Sequence, residues 1–98
     1  MASRTISTSA EEILPHNSLR KSFVISNEDA SIPVYVKQES AATPTVSATD
    51  HDHRVGPGGV LAVNYGLDGL QAIQSRWTIV ADSGTPRIAY FETEDVRR

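Results

Sequence analysis

The chain has 98 residues, is 39% apolar and 21% charged, contains no cysteine and carries a formal net charge of −3. A chain of this length forms one domain around one modest core, burying roughly 60–70% of the surface that its unfolded form exposes. The missing cysteines exclude disulfides and cysteine zinc sites. The acidic balance argues against a nucleic-acid partner, and no run approaches the ~20 apolar residues of a membrane span.

An apolar fraction of 39% is lean for a globular domain, so part of the stability is expected to come from partner subunits. The first residues, MASRTISTSA, have no apolar run of the secretory type, and no signal peptide is expected. Thr5, Ser7 and Ser9 alternate with Ile6 and Thr8. That pattern suits either a first strand or an extended arm, and we read 1–10 as an extended N-terminal arm. Residues 10–14 could open a helix, but Pro15 follows too closely, so residues 12–14 are expected as a short strand. Pro15, His16, Asn17 and Ser18 then make a turn.

Residues 20–37, RKSFVISNEDASIPVYVK, are the stretch around which the chain is organised. Phe23, Val24 and Ile25 form one apolar run, and Ile32, Val34 and Val36 alternate with Pro33 and Tyr35 in a second. Asn27, Glu28, Asp29, Ala30 and Ser31 supply turn chemistry between them, because Asn and Asp side chains bond their own backbone. The whole reads as strand, turn, strand.

Residues 39–59 are rich in Ser, Thr, Ala, Pro and Gly, with only 45–48 able to pair as a strand. A connection this long is functional, flexible or ordered by a neighbour. It ends in the turn sequence Gly56-Pro57-Gly58-Gly59, where glycine relieves strain at positive φ. Residues 60–64, VLAVN, form another strand, followed by an Asp68-Gly69 turn. In 70–82 the strand formers Trp77, Thr78, Ile79 and Val80 outweigh a conceivable helix over 70–76, giving a strand broken near Gln74 and Ser75. Trp77, Ile79 and Ala81 share one of its faces. Residues 83–86 turn the chain, and 87–92 form the last strand, with Ile88 and Tyr90 opposing Ala89 and Phe91.

The expectation is an all-β fold, a small jelly-roll-like β-sandwich of seven to eight short antiparallel strands over residues 11–93, with a charged tail at 94–98. Several strands are apolar on both faces (23–25, 60–63 and 79–81), which fits the middle of an assembly. Phe23, Trp77 and Phe91 are expected in the core. Tyr65, beside Gly66, is the expected exposed aromatic.

Asp50, His51, Asp52 and His53 are the one cluster with metal-ligand chemistry. In an extended chain the two aspartates point one way and the two histidines the other, so one ion would meet only two ligands. His16 is the sole further imidazole and is distant in sequence. A polar loop is therefore the expected reading. A subunit-bridging ion, a catalytic metal and a pH-tuned subunit contact through His51 and His53 are the alternatives. No serine-nucleophile elbow or phosphate-binding glycine pattern occurs. Glu11 with Glu12, and Glu92 with Glu94, are carboxylate pairs without room for a cleft between them. We expect no enzyme, no catalytic residue and no cofactor.

In order along the chain stand His16-Asn17-Ser18-Leu19-Arg20, then Phe23-Val24-Ile25-Ser26-Asn27, Val34-Tyr35-Val36, Gly56-Pro57-Gly58-Gly59 and Phe91-Glu92-Thr93. This layout resembles small β-sandwich virion proteins of tailed bacteriophages, whose shared pattern includes Arg-x-x-hydrophobic-hydrophobic-hydrophobic-x-Asn. The stretch 71–82 with Trp77 is more elaborate than in the simplest members. The resemblance implies a capsid decoration or cement protein that stabilises the head by binding the lattice, or else a tail or head-fibre module that binds a host-surface receptor. It implies the major capsid protein and other virion proteins as partners, a dimer or trimer of the chain itself, no nucleic acid and no membrane. The implied location is the virion, after synthesis in the host cytoplasm. Partner contacts are then expected at Tyr65, at Arg20, and at Arg4 and Ile6 on the arm.

Overall fold

The computed structural model describes residues 2–40, 42–64 and 74–94. Eight strands are present: β1 (Ala2–Thr5), β2 (Glu11–Leu14), β3 (Arg20–Asn27), β4 (Val34–Gln38), β5 (His53–Val55), β6 (Val60–Asn64), β7 (Trp77–Ala81) and β8 (Arg87–Glu94). They form two four-stranded sheets, β1-β8-β3-β6 and β2-β7-β4-β5. Every pair is antiparallel. The chain is thus an all-β sandwich. Strands early in the chain pair with late ones (β1 with β8, β2 with β7), and those between pair inside them (β3 with β6, β4 with β5).

The stretch 20–37 does form a strand, a turn and a strand. Its two strands, β3 and β4, do not pair; they lie in opposite sheets. The polar turn between them is a crossing between sheets. Asp29 Oδ1 accepts the amides of Ser31 and Ile32, each at 2.8 Å, and so curls the backbone. These bonds stabilise the ionised carboxylate and hold the Asp29 pKa below its ordinary 3.8. Among the described strands, only β4 and β5 are consecutive neighbours within one sheet.

Between the sheets, alternating side chains supply the core. Phe23, Ile25, Val63 and Ile88 face Val34, Val36, Trp77, Ile79 and Ala81. The rings of Phe23 and Trp77 meet edge to face at 5.2 Å. Ile6, one residue beyond β1, is fully buried in the same core, and its amide donates to the Pro86 carbonyl at 2.9 Å. Residues 2–5 of the expected arm are therefore a sheet strand, with Ile6 anchoring its end. Phe91 departs from the core expectation. It is 40% exposed, because the alternation that sends Ile88 and Tyr90 inward sends Phe91 outward.

Two buried polar side chains stitch the sheets together, one at each end of β3. Arg20 is 1% exposed. Its Nη1 donates to the Ser75 carbonyl at 3.0 Å and its Nη2 to the Pro15 carbonyl at 2.6 Å, while Nε pairs with the Glu92 carboxylate. The guanidinium also lies 5.8 Å from the Phe23 ring centroid, within cation–π range. Asn27 is likewise 1% exposed. Its Nδ2 donates to the carbonyls of Ile32 at 2.8 Å and Val55 at 3.1 Å, and its Oδ1 accepts the Asp29 amide at 3.0 Å. Pro15 and Ser75 flank β2 and β7, and Ile32 and Val55 belong to the approach to β4 and to β5, so each pin joins sheet to sheet.

Residues 45–48 form no strand; Ser47 and Asp50 make an isolated bridge. Gly58 alone in the 56–59 turn has positive φ, at 71°. Gly59 has no positive φ, but a Cβ there would be crowded, lying 3.0 Å from the Gly56 carbonyl oxygen. The Asp68-Gly69 turn and residues 95–98 of the tail lie outside the described residues.

Asn27→Ala strands two inward carbonyls and one amide. We expect a loss of about 2–4 kcal/mol in urea unfolding. Ser26→Ala, half-buried on the opposite face, should stay within ~0.5 kcal/mol of the parent.

Candidate functional site

The long segment after β4 folds onto the outer face of its own sheet. Val46 is 3% exposed and packs with Tyr35 and Val80, with Ala10 at the margin, in a second small core. This explains why all five residues of β7 are buried. Trp77, Ile79 and Ala81 point between the sheets, while Thr78 and Val80 point under the loop. The second apolar face of β7 is covered by the chain itself, so it does not call for a neighbouring subunit.

A polar network fixes this loop. Glu39, whose side chain is 6% exposed, accepts the Thr45 amide at 2.9 Å, the Thr45 hydroxyl at 2.6 Å and the Thr78 hydroxyl at 2.6 Å. Burial pushes the Glu39 pKa up, but these bonds and the nearby Lys37 ammonium outweigh it and hold it below the ordinary 4.5. Lys37 Nζ donates to Asp50 Oδ2 at 2.7 Å and to the Thr45 hydroxyl at 3.0 Å. The Asp50 bond, with the fields of Asp50, Glu39 and Asp52, outweighs desolvation and raises the Lys37 pKa above 10.5.

The Asp50, His51, Asp52, His53 cluster is therefore dispersed. Asp50 is held by Lys37, and Asp52 Oδ2 accepts the Gln38 amide at 2.8 Å. His51 Nδ1 donates to the Ser47 carbonyl at 3.1 Å, and its ring lies 4.6 Å from that of Tyr35. His53 belongs to β5, its ring stacked 6.1 Å from Trp77. Among the described residues, no three His, Asp or Glu side chains gather as a metal-ion site. The cluster's chemistry goes into closing the loop.

A cleft of about 480 Å³ opens beside the loop, lined by His16, Gln38, Glu39, Ser40, Ser75 and Arg76. Much of its polar lining is engaged within the fold. Gln38 Nε2 donates to the Ser75 hydroxyl at 3.1 Å, Arg76 Nε pairs with Glu12 at 2.7 Å, and Glu39 is tied as above.

The expected partner contacts fall in separate places. Arg20 is buried, and its carboxylate partner is Glu92 of the same chain. Ile6 is in the core. Arg4 pairs with Glu11 at 2.8 Å and donates to the Glu12 carbonyl, tying β1 to β2. Tyr65 lies outside the described residues.

The bare surface is the outer face of the β1-β8-β3-β6 sheet. Its outward positions include Val24, Ser26, Val60, Ala62 and Phe91, matched across strands by the register, while Ala89 on the same face is buried. Ser22 and Thr93 continue it, their hydroxyls bonded at 2.6 Å. None of these residues is charged, but Arg87, two residues before Ala89 on the same face of β8, stands exposed at its end and pairs with Glu28 at 3.5 Å. Val60 is 62% exposed and Phe91 40%.

Sequence reasoning missed the roles of Lys37, Glu39, Val46 and Thr78. Val46 carried a usable signal, as a large aliphatic residue amid Ser, Thr and Ala must find cover. Comparisons with family models, curated proteins and solved structures find no match to this chain.

Because the folded-state pKa of Glu39 is depressed, its contribution is complete above 4.5 and is lost as pH falls through the lower folded value. Denaturant midpoints should thus drop on acidification below about pH 4.5, and Glu39→Gln should flatten that drop. A second expectation concerns metals: adding EDTA or Zn²⁺ should leave the thermal midpoint unchanged, because the four candidate ligands are engaged separately.

Proposed function

We propose that this chain is a structural protein of a tailed-bacteriophage particle, a capsid decoration or cement module that stabilises the head by binding the lattice. The observation that carries the reading is the outer sheet face, free of charge over Val24, Ser26, Val60, Ala62 and Phe91, with Val60 and Phe91 standing exposed on it. Exposed apolar surface of this kind suits protein contact, and large aromatics are favoured anchors in such contacts. The Arg20-to-Asn27 pattern that underlies the family resemblance supports it as well, since both of its polar residues are committed to holding a sandwich. Jelly-roll-like sandwiches also occur in capsid proteins, which is fold-level analogy only.

The mechanism is burial of apolar area across subunit joints. Each joint is weak, and many copies on one lattice add up through effective concentration. The major capsid protein is the partner, together with further copies of the chain. The role needs no cofactor, catalytic residue, nucleic acid or membrane. A tail or head-fibre module binding a host-surface receptor is the second reading, with the same face as its contact.

Quantitative mass spectrometry of purified particles, normalised to the major capsid protein, tests this. Copies in the hundreds are expected for decoration. About a dozen or fewer would favour the receptor-binding reading, and absence from particles would overturn both.

A further inference from the structure

The two sheets have four edge strands: β1, β6, β2 and β5. An edge invites pairing with another chain unless something blocks it. Three of the four carry a block. β1 bears Arg4, locked to Glu11 across the sandwich. β2 bears Glu11 and Glu12, and its register breaks between Glu12 and Leu14. β5 is three residues long and carries Arg54. β6 has none of these devices. Its sequence, Val60-Leu61-Ala62-Val63-Asn64, has no charge and no proline, and its register with β3 is continuous.

The hydrogen-bond phase of β6 follows from one backbone bond. The Asn27 amide donates to the Gly59 carbonyl at 2.9 Å, one step beyond the Ser26–Val60 pair. Bonded positions recur at every second residue of an antiparallel ladder. Leu61 and Val63 therefore turn their backbone groups toward β3, and Val60 and Ala62 turn theirs away, toward the edge, where no described strand pairs with them.

We propose that β6 pairs antiparallel with β6 of a second copy of this chain, about a two-fold axis at Ala62, joining two four-stranded sheets into one of eight. The strand suits its own copy. Pairing about Ala62 sets Leu61 beside Val63, both facing the core side, and Val60 beside Asn64. Small Ala62 meets itself at the axis. Each copy carries a net −3, yet the joint contains no charge, so copies meet without like-charge repulsion along the strand. The symmetry closes, which gives a dimer instead of a filament, and it makes the two outer faces continuous.

One strand pair buries less than the ~1,200 Å² of a standard interface, so the dimer is concentration-dependent. In sedimentation equilibrium the parent's mass should rise with concentration toward that of a dimer. Ala62→Pro removes an edge-facing amide that β3 does not use, a substitution edge strands tolerate. It should raise the dissociation constant about tenfold or more, through lost backbone bonds, while keeping the thermal midpoint. The chain has no cysteine, so Ala62→Cys supplies a single thiol at the axis. Directly opposed Cα atoms lie ~5.5 Å apart, within disulfide range. Mild oxidation should therefore cross-link Ala62→Cys and leave Ser3→Cys, on the β1 edge, uncrosslinked. This readout stands even if the proline variant fails to fold. A parent that is monomeric at every concentration overturns the proposal. So does association that a folded Ala62→Pro leaves unchanged, or cross-linking of Ser3→Cys as ready as that of Ala62→Cys. The inference concerns the isolated chain and does not rest on the particle reading: a β6 dimer absent from particles would sink that reading alone.

Discussion

Strand β3 begins and ends on a buried polar side chain, and the sandwich is joined through both. Its middle, Phe23 and Ile25, does what core residues do; the ends set which sheet edges lie opposite which. Arg20 brings the carbonyls of Pro15 and Ser75 to one end, and Asn27 brings those of Ile32 and Val55 to the other. A buried donor without a partner costs ~1–3 kcal/mol, and a buried charge more. The two sheets therefore have one relative placement at which both ends are satisfied. Apolar packing supplies the drive but is tolerant of sliding; the polar pins are not. Among described residues, no buried side-chain nitrogen or oxygen is left without a hydrogen bond.

The same logic separates the two outer faces. On the β2-β7-β4-β5 sheet, the 39–52 segment brings Val46 down over Tyr35 and Val80 and anchors itself through Glu39 and Lys37. What reads as a long irregular loop is the sheet's cover. The β1-β8-β3-β6 sheet keeps an open face, apolar around Val60 and Phe91 with the Arg87–Glu28 pair at its end. The asymmetry gives the molecule one closed side and one side suited to protein contact. The functional proposal rests on that difference and on no catalytic geometry.

Much of the fold was legible in the sequence because strand alternation is local. β6 has the bounds the pattern predicts, and β7 and β8 follow from the Trp77–Ala81 run and the Ile88, Tyr90 alternation. β5 was not legible. His53, Arg54 and Val55 hold one apolar residue, and they form a strand because β4 offers an open ladder beside them. Nor could the turn at Asn27 reveal that its strands part company, since the same Asx chemistry serves a hairpin and a crossing. The candidate site was less legible still. Asp50, His51, Asp52 and His53 look like ligands in one dimension, and only the fold shows each spent on a different partner. Arg20 was expected to meet a partner, because its carbonyl acceptors lie 5 and 55 residues away in its own chain.

The most direct test of the joined-sheet account is native-state hydrogen exchange, resolved to individual amides in increasing denaturant. Cooperative units that open separately exchange with separate free energies. If the ends of β3 hold the sheets together, the central amides of β3 and β8 and those of β4 and β7 converge on one opening free energy, equal to that of global unfolding. If the β2-β7-β4-β5 sheet exchanges as its own unit while β3 and β8 remain protected, the sheets are independent and the account is wrong.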